Sequence, residues 1–155
     1  MKIRRLKKED IKQLMLLRLK LFLKWDKMDP IDKIDRKYFR SQKHSTLLNK
    51  WIKDKKRLTL VAEDDGKLVG YMMSTITVRE SFLQKIGYLA EAWIEPKYRK
   101  KGITTEFFKQ TKQWFKKHKL KWLIVSTHSL DSQANKFWKG RGFKEFNKTF
   151  KMKAR

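Results

Sequence analysis

The chain has 155 residues, of which 40% are hydrophobic, and it carries a formal charge of +25 with no cysteine. That length and hydrophobic content fit one folded domain; the chain shows neither an apolar run of the ~18 residues that span a bilayer nor a signal-peptide core, so we expect a soluble cytoplasmic protein. The lack of cysteine excludes disulfides, thiolate zinc sites and a cysteine nucleophile, and the histidines His44, His118 and His128 show no metal-ligand spacing.

The first third of the chain predicts one strand and two helical regions. Lys2–Leu6 has the pattern of a short strand, and apolar residues at helical spacing over Ile11–Trp25 predict a helix of about five turns. We expect Asp29-Pro30 either to end that helix or to begin a new one. Residues 31–54 then predict a second helical region, which we expect to break near Ser41–Ser45.

The middle of the chain predicts three strands. Leu58–Ala62 and Leu68–Val78 flank the turn Glu63–Lys67, whose central Asp-Gly pair is a strong hairpin signal. Gly87–Glu95 is the next apolar segment of strand length. We therefore expect an antiparallel hairpin followed by a further strand of the same sheet.

The last third predicts a helix, a strand and a second helix. The first helix spans Thr104–His118, and Trp122–Ser126 is apolar almost throughout, as is typical of a strand buried inside a parallel pair. The second helix covers Asp131–Lys139 and is expected to end at Gly140 or Gly142.

A closing hairpin of Phe143–Phe146 and Thr149–Met152 completes the predicted order, β-α-α-β-β-β-α-β-α-β-β. The chain shows no repeats, linkers or low-complexity tracts. This alternation predicts one α/β domain over residues 1–155, with a mixed β-sheet flanked by helices.

The segment after the strand Gly87–Glu95 is the most informative part of the chain. A basic loop around Gly102 comes first, and a helix starts directly after it. Free backbone N–H groups at a helix N-terminus bind phosphate, and Arg99, Lys100 and Lys101 add positive charge at the same point. This segment predicts a site for a cofactor that carries a diphosphate.

Two sequence motifs point to a known family. The loop reads Arg99-Lys-Lys-Gly102-Ile-Thr104, and a second run reads Asp131-Ser-Gln-Ala134-Asn-Lys-Phe-Trp138-Lys-Gly-Arg-Gly142-Phe143. With both motifs at the correct separation, the chain resembles the GNAT family of acetyl-CoA-dependent N-acetyltransferases over nearly its whole length. It departs from the family pattern at Thr104, where the family has Gly or Ala, and at Asp131 and Trp138, where the family has Asn and Tyr.

The resemblance implies a binding mode for acetyl-CoA as co-substrate, with no metal. The strands near 88–95 and 122–127 would splay apart, and the pantetheine arm would pair with the free backbone of Ala92, Trp93 and Ile94. The residues expected to hold the diphosphate, through the Arg99 charge and the amides that follow it, are Arg99, Lys100, Lys101, Gly102, Ile103, Thr104 and Thr105.

The resemblance also implies transfer of the acetyl group directly to an amine in a ternary complex, because no cysteine is present to form a covalent intermediate. The general base stays open. Glu91 is the only acid in the middle of its strand, His128 follows the next strand, and Tyr88 is placed to order a water. Strand alternation predicts one face with Tyr88, Ala90 and Ala92 and another with Leu89, Glu91 and Trp93.

The group that protonates the departing thiolate is equally open. Trp138 stands where the family commonly has a catalytic Tyr, but an indole N–H does not give up its proton near neutral pH. Either the thiolate leaves with the help of charge and water, or another group acts, or catalysis is weak; Trp138 itself also fits an aromatic wall beside the pantetheine. Asp131 would lie near the same arm or cap its helix, and capping is favoured.

The acceptor is an amine of a small molecule, a peptide or an RNA. The high positive charge disfavours polyamines and mildly favours an acidic partner. An alternative is a nucleic-acid-binding or acetyl-CoA-sensing protein on the same fold with little catalysis, and a homodimer is possible. Aromatic residues of the first two helices are expected in the core or along the acceptor side of the site, namely Phe22, Trp25, Tyr38, Phe39 and Trp51.

Overall fold

A five-stranded sheet in the order β1-β2-β3-β4-β5 organises the molecule, seen here in a computed structural model that describes residues 1–29, 33–78, 84–152 and 154. The first three strand pairs are antiparallel and the last pair is parallel, which confirms the predicted mixed sheet. The strands are β1 (Lys2–Arg5), β2 (Arg57–Asp64), β3 (Lys67–Thr77), β4 (Ile86–Ile94) and β5 (Trp122–Val125).

Helices cover both faces of this sheet. The described residues form four α-helices, namely α1 (Ile11–Met28), α2 (Gln42–Lys53), α3 (Ile103–Lys117) and α4 (Ser132–Lys139), and short 3-10 turns at Lys8–Asp10, Tyr38–Arg40 and Pro96–Tyr98. Each α-helix begins within one residue of a predicted boundary except α2.

Two hydrophobic cores hold the layers together. On one face, Leu14 of α1 and Leu48 of α2 pack with Tyr71 of β3, and all three are fully buried. On the other face, Phe107 and Phe115 of α3 pack against β2, β3, β4 and α4. The β4 strand therefore lies between two helical layers, and its side chains alternate between them.

Local side-chain bonds fix where the first two helices begin. The buried carboxylate of Asp10, just before α1, accepts hydrogen bonds from Arg4 of β1 at 2.6 and 2.9 Å. Ser41 caps α2 by accepting a bond from the backbone N–H of His44 at 3.1 Å. The predicted helical region 31–54 is therefore only partly confirmed. Its second part is α2, which begins directly after Ser41 and already includes Ser45, so the break is limited to the start of the predicted interval. Its first part is wrong, because residues 33–37 are not helical and Tyr38–Arg40 form only a short 3-10 turn.

The hairpin between β2 and β3 turns at Asp65-Gly66, as the Asp-Gly signal predicts. Asp65 has φ 47° and Gly66 has φ 75°, the two left-handed residues of a type I′ turn. The end of α1 also matches, because α1 stops at Met28; the Pro30 part of that prediction lies outside the described residues.

The predicted closing hairpin is wrong, because residues 143–152 contain no strand. Phe146, Phe150 and Met152 are 75–88% exposed. The spacing of the apolar residues explains the failure. Phe143 and Phe146 are three residues apart, so in a strand they would point to opposite faces, and one buried face could not cover both of them. As a result, β5 is an edge of the described sheet rather than a buried inner strand, and its Trp122 is 65% exposed.

The predicted orientation of the β4 side chains is wrong at Leu89, because the strand contains a β-bulge. Met73 pairs with Glu91 and Ser74 pairs with Leu89, which leaves one surplus residue, Ala90, in β4. The extra residue shifts the alternation by one position. Leu89 consequently packs with Ala92 and Ile94 beneath α3, and not on the face of Glu91 and Trp93 as simple alternation predicted.

Candidate active site

A cleft that could hold a ligand lies where strands β4 and β5 separate. The two strands pair only from Ile86–Trp122 to Leu89–Val125, so β5 does not cover the stretch of β4 from Ala90 to Ile94. A cleft of about 490 Å³ fills the gap. Its walls come from α1, β3, β4, the loop before α3, the segment after β5, and α4.

One end of this cleft is closed by the loop that precedes α3. Lys100 has φ 60° and Gly102 has φ 77°, and within the described part of the chain no backbone carbonyl accepts a bond from the amides of residues 100–105. A Cβ at Gly102 would meet nothing within 4 Å. Glycine is therefore favoured there by its left-handed backbone, which aligns a row of free N–H donors of the kind that binds anions.

The cations around the loop differ in position. The Arg99 Nε donates to the Ile94 carbonyl at 3.0 Å, and its guanidinium carbon lies 4.9 Å from the centre of the Trp93 ring. Arg99 and Lys100 line the cleft, whereas Lys101 does not; the Lys101 ammonium lies 5.1 Å from the Tyr98 ring.

Arg141 is a further cation of the cleft that the sequence reasoning missed. Its Nη2 donates to Thr105 Oγ1 at 2.5 Å, and its guanidinium carbon lies 3.4 Å from the centre of the Phe137 ring. The signal was present in the sequence, because Arg141 directly precedes Gly142 within the second motif. Ile103 and Thr104 also line the cleft, and the buried Ile103 side chain anchors the first turn of α3 in the core.

The N-terminus of α4 joins the cleft to α1. Asp131 is 6% exposed, and its Oδ1 accepts a bond from the Ala134 N–H at 3.1 Å, which confirms the predicted cap. Its Oδ2 pairs with Lys24 Nζ of α1 at 2.5 Å. Lys24 and the neighbouring Trp25 line the cleft; of the five aromatic residues proposed for the acceptor side, Trp25 is the one that does so.

Trp138 forms part of an aromatic wall. It is 8% exposed and packs edge-on against Phe108, Phe137 and Phe143 at ring-centre distances of 5.5, 4.8 and 5.4 Å. It lines the cleft, and its indole offers one donor and no titratable proton there.

Glu91 lies in the cleft wall with its carboxylate already bonded. It accepts from Arg18 Nε at 2.8 Å and Arg18 Nη2 at 2.5 Å, and from the Tyr71 hydroxyl at 3.0 Å. Burial acts to lower the pKa of Arg18, but the bond and charge of Glu91 outweigh it and the net shift is upward. Burial, reinforced by the Glu91 charge, raises the pKa of Tyr71 well above its usual value, so Tyr71 stays a neutral donor.

A buried histidine completes this network on the side away from the cleft. His44 is fully buried; its Nε2 contacts Arg18 Nη1, and its Nδ1 lies 3.3 Å from the Phe39 carbonyl. Burial, followed by the Arg18 charge, lowers the pKa of His44. The neutral ring therefore carries its proton on Nδ1 and accepts from Arg18 on Nε2. The sequence offered one signal, namely a charged Arg18 at an apolar position of α1.

The other two candidate catalytic residues lie in different surroundings. Tyr88 sits between Thr75 and Ile124 in the paired part of β4 and is not among the residues that line the cleft. His128 does line the cleft, and its Nδ1 accepts a bond from the Leu130 N–H at 3.2 Å. In the neutral ring this leaves the proton on Nε2, so His128 is arranged to donate rather than to accept at that atom.

Two features are absent from the described residues. No helix there is long and apolar enough to cross a membrane. No group of three or more His, Cys, Asp or Glu side chains within those ranges is arranged to hold a metal ion.

Solved structures share this fold across the whole chain. The aminoglycoside N-acetyltransferase AAC(6')-Iy, solved in complex with CoA, matches with a TM-score of 0.73 and 15% identity over 99% of both chains. The aminoglycoside 6'-N-acetyltransferase AAC(6')-IG from Acinetobacter haemolyticus matches with a TM-score of 0.74 and 17% identity over 100% of this chain and 99% of that one. A mutant of the BH1408 protein from Bacillus halodurans matches with a TM-score of 0.82 and 16% identity over 100% of both. No curated protein sequence matches the chain significantly.

The opened strand pair and the free amides at its end define an α/β domain of the acyltransferase type. The chain belongs to the acetyltransferase (GNAT) family, whose sequence profile matches residues 25–143. Membership confirms the resemblance drawn from the two motifs and makes this protein an acetyltransferase.

Proposed function

We propose that the protein is an N-acetyltransferase that moves the acetyl group of acetyl-CoA directly to an amine in a ternary complex. One observation carries the proposal: the gap between β4 and β5 ends at a loop whose amides, from Lys100 to Thr105, have no backbone acceptor among the described residues. A diphosphate supplies the acceptors that such a row of donors needs.

The residues of the cleft fit the parts of acetyl-CoA. The loop amides, together with Arg99, Lys100 and Arg141, hold the diphosphate. The exposed edge of β4 at Ala92 and Trp93 pairs with the pantetheine arm, while the Ile94 carbonyl is already taken by Arg99. When bound, acetyl-CoA supplies the thioester carbonyl that the amine attacks.

Within the cleft, we assign different tasks to the polar side chains. Glu91 accepts three hydrogen bonds from Arg18 and Tyr71, which hold its carboxyl group in place beside the cation of Arg18. We assign it the role of a hydrogen-bond acceptor that orients the amine, while a water carries the amine proton away. His128 donates from Nε2 to the developing negative charge, and Trp138 forms the wall beside the thiol.

Calorimetric titration with acetyl-CoA tests this proposal. The double variant R99E/G102E is expected to lose saturable binding, because it removes one charged contact worth about 1.5–3 kcal/mol and puts two carboxylates beside the diphosphate. The matched control is K101E, which makes a charge reversal within the same loop but at a residue that does not line the cleft, and which keeps the backbone N–H of that residue; we expect it to keep most of its binding.

Thermal melts of each variant separate lost binding from lost folding. Saturable acetyl-CoA binding that survives in a folded R99E/G102E variant would contradict the assigned site. Absence of any binding by the parent protein at millimolar acetyl-CoA would end the proposed function altogether.

A further inference from the structure

The acidic side chains around the cleft are all paired. Among the described lining residues, Glu91 and Asp131 are the acidic ones, and they contact Arg18 and Lys24. Glu95, one residue beyond β4, contacts Lys20 of α1. The cleft therefore presents no unneutralised carboxylate in this part of the structure.

This pairing has a direct consequence for the acceptor. A polycationic amine needs carboxylates to replace the water it loses on binding, and here it would compete with built-in cations for each one. It would also approach the cationic groups of the lining, which are Lys24, Arg99, Lys100 and Arg141. An acceptor that carries its own negative charge meets neither penalty, and the net charge of +25 attracts it from a distance.

Lys24 is the cation best arranged to bind such an acceptor. It lies on α1 in the lining of the cleft, and its side chain is 29% exposed. An ammonium group has three N–H donors, and the contact with Asp131 uses one. Asp131 is itself held by the Ala134 amide, so Lys24 is fixed at its tip while it keeps donors for a ligand.

We propose that Lys24, positioned by Asp131, binds a carboxylate or phosphate of the acceptor, so that the substrate is a small amine that carries an anionic group. This inference rests on the proposed N-acetyltransferase function and names its substrate class. A preference for polycations would need an acidic group that is free to pair with the substrate, and both acidic side chains among the described lining residues are already paired with cations of the protein.

The test is a matched panel of amines in a thiol-release assay with acetyl-CoA: ethanolamine, phosphoethanolamine, β-alanine and the polycation spermidine. We expect kcat/KM at least tenfold higher for phosphoethanolamine or β-alanine than for ethanolamine, and spermidine below all three. Phosphoethanolamine and β-alanine distinguish a phosphate from a carboxylate. Calorimetry of the same amines with the protein–CoA complex provides a readout that does not need turnover.

Variants of the pair test the role of Lys24. K24Q is expected to remove the advantage of the anionic amines through KM, and K24R to restore most of it. D131N keeps a helix-capping side chain but removes the charge that positions Lys24, so it should weaken the advantage of the anionic amines through KM. An advantage that is unchanged in D131N would contradict the positioning role of Asp131. K27Q is the control, because Lys27 lies on the same helix, is exposed, and is not among the lining residues.

Two results would overturn the inference. One is equal or better binding and turnover of ethanolamine or spermidine than of the anionic amines. The other is an unchanged advantage in K24Q. Either result with intact acetyl-CoA binding leaves the proposed function standing, whereas loss of acetyl-CoA binding in the parent protein would remove both.

Discussion

At the scale of single residues, the buried contact between Arg18 and Glu91 decides how the wall of the cleft behaves. Their side chains are 7% and 11% exposed. Removing one partner of a buried ion pair leaves an uncompensated charge and typically costs about 3–5 kcal/mol. Glu91 is thus part of the scaffold as well as of the cleft, and loss of activity in a Glu91 variant does not by itself identify a catalytic base.

His44 gives the folded protein a specific weakness towards acid. Its pKa is lowered below 6.5 by burial and by the Arg18 charge, with Tyr38 stacked on its ring at 5.0 Å. Below about pH 6.5 the histidine is protonated more readily in the unfolded chain than in the folded chain. The contribution of His44 to the free energy of unfolding is therefore complete above about pH 6.5 and is lost as the pH falls below that value. Urea unfolding at pH 7.5, 6.5 and 5.5 should show a falling free energy of unfolding.

The variant H44Q serves as the control for that series. Glutamine keeps an acceptor for Arg18 and a donor for the Phe39 carbonyl but does not titrate. Its free energy of unfolding should vary less between pH 7.5 and 5.5. A slope as steep as that of the parent protein would assign the acid sensitivity to other groups.

Single residues were only partly predictable from the sequence. The charge of Arg18 on an apolar helix face was visible, but its partner Glu91 lies on a strand far along the chain, and only the fold brings the two together. Asp131 was predicted as a cap because capping is local; its contact with Lys24 was not, because that contact joins α4 to α1.

At the scale of elements, the paired base of β4 and β5 holds the cleft open at a fixed angle. Gly87 lies in this base, where a Cβ would meet Leu123 Cδ2 at 2.7 Å and Phe115 ring atoms at 2.9 Å. The missing side chain therefore lets α3 and β5 approach β4 closely.

The substitution G87A tests this close approach. We expect it to cost about 1–3 kcal/mol of folding free energy by overpacking and to weaken acetyl-CoA binding through the displaced strands. Chemical denaturation and calorimetry measure the two effects. G140A is the control, because Gly140 has an ordinary helical φ of −64° and the nearest atom to a Cβ there, the Lys136 carbonyl oxygen, would lie at 3.3 Å rather than at 2.7 Å. Stability of G87A equal to that of G140A would contradict the packing argument.

Elements were predictable where their signals are local. The Asp65-Gly66 turn and the spacing of apolar residues in α1 and α3 required no tertiary information. The closing hairpin failed because turn and strand signals do not say whether a partner strand is available. The predicted orientation of the β4 side chains was wrong because a bulge such as that at Ala90 arises from the pairing with β3, and the amino-acid composition of the strand does not indicate it.

At the scale of the whole molecule, the net charge of +25 destabilises the folded state through charge repulsion. Like charges repel more in the compact state than in the unfolded chain, and salt screens them over a Debye length of about 10 Å at 0.1 M. We expect Tm to rise between 20 and 200 mM NaCl, with about 2–4 °C for each 1 kcal/mol of relieved repulsion.

Differential scanning fluorimetry over that salt range measures the effect. Sucrose at matched osmolality is a suitable control, because it screens no charge. A Tm that falls with NaCl would mean that attractive ion pairs, such as those of Arg4 with Asp10 and Glu63, outweigh the general repulsion.

The family could be identified from the sequence because two motifs at a fixed separation specify a shared fold. The charge alone could not have done so, since the cations run along the entire chain. The ion pairs within the cleft, which decide the acceptor proposed here, depend on side chains from α1, β4 and α4 that become neighbours only after folding.

The surplus residue Ala90 affects two features of the molecule, namely where the cleft begins and which way the neighbouring side chains of β4 face. It lies at the position where β4 separates from β5. It also allows Leu89 and Glu91, which are two residues apart, to face opposite helical layers. Deletion of Ala90 would leave Leu89 opposite Ser74 and Glu91 opposite Met73, so each side chain would keep its helical layer. The strand would instead lose the local bend and added twist of the bulge, at the position where the cleft begins.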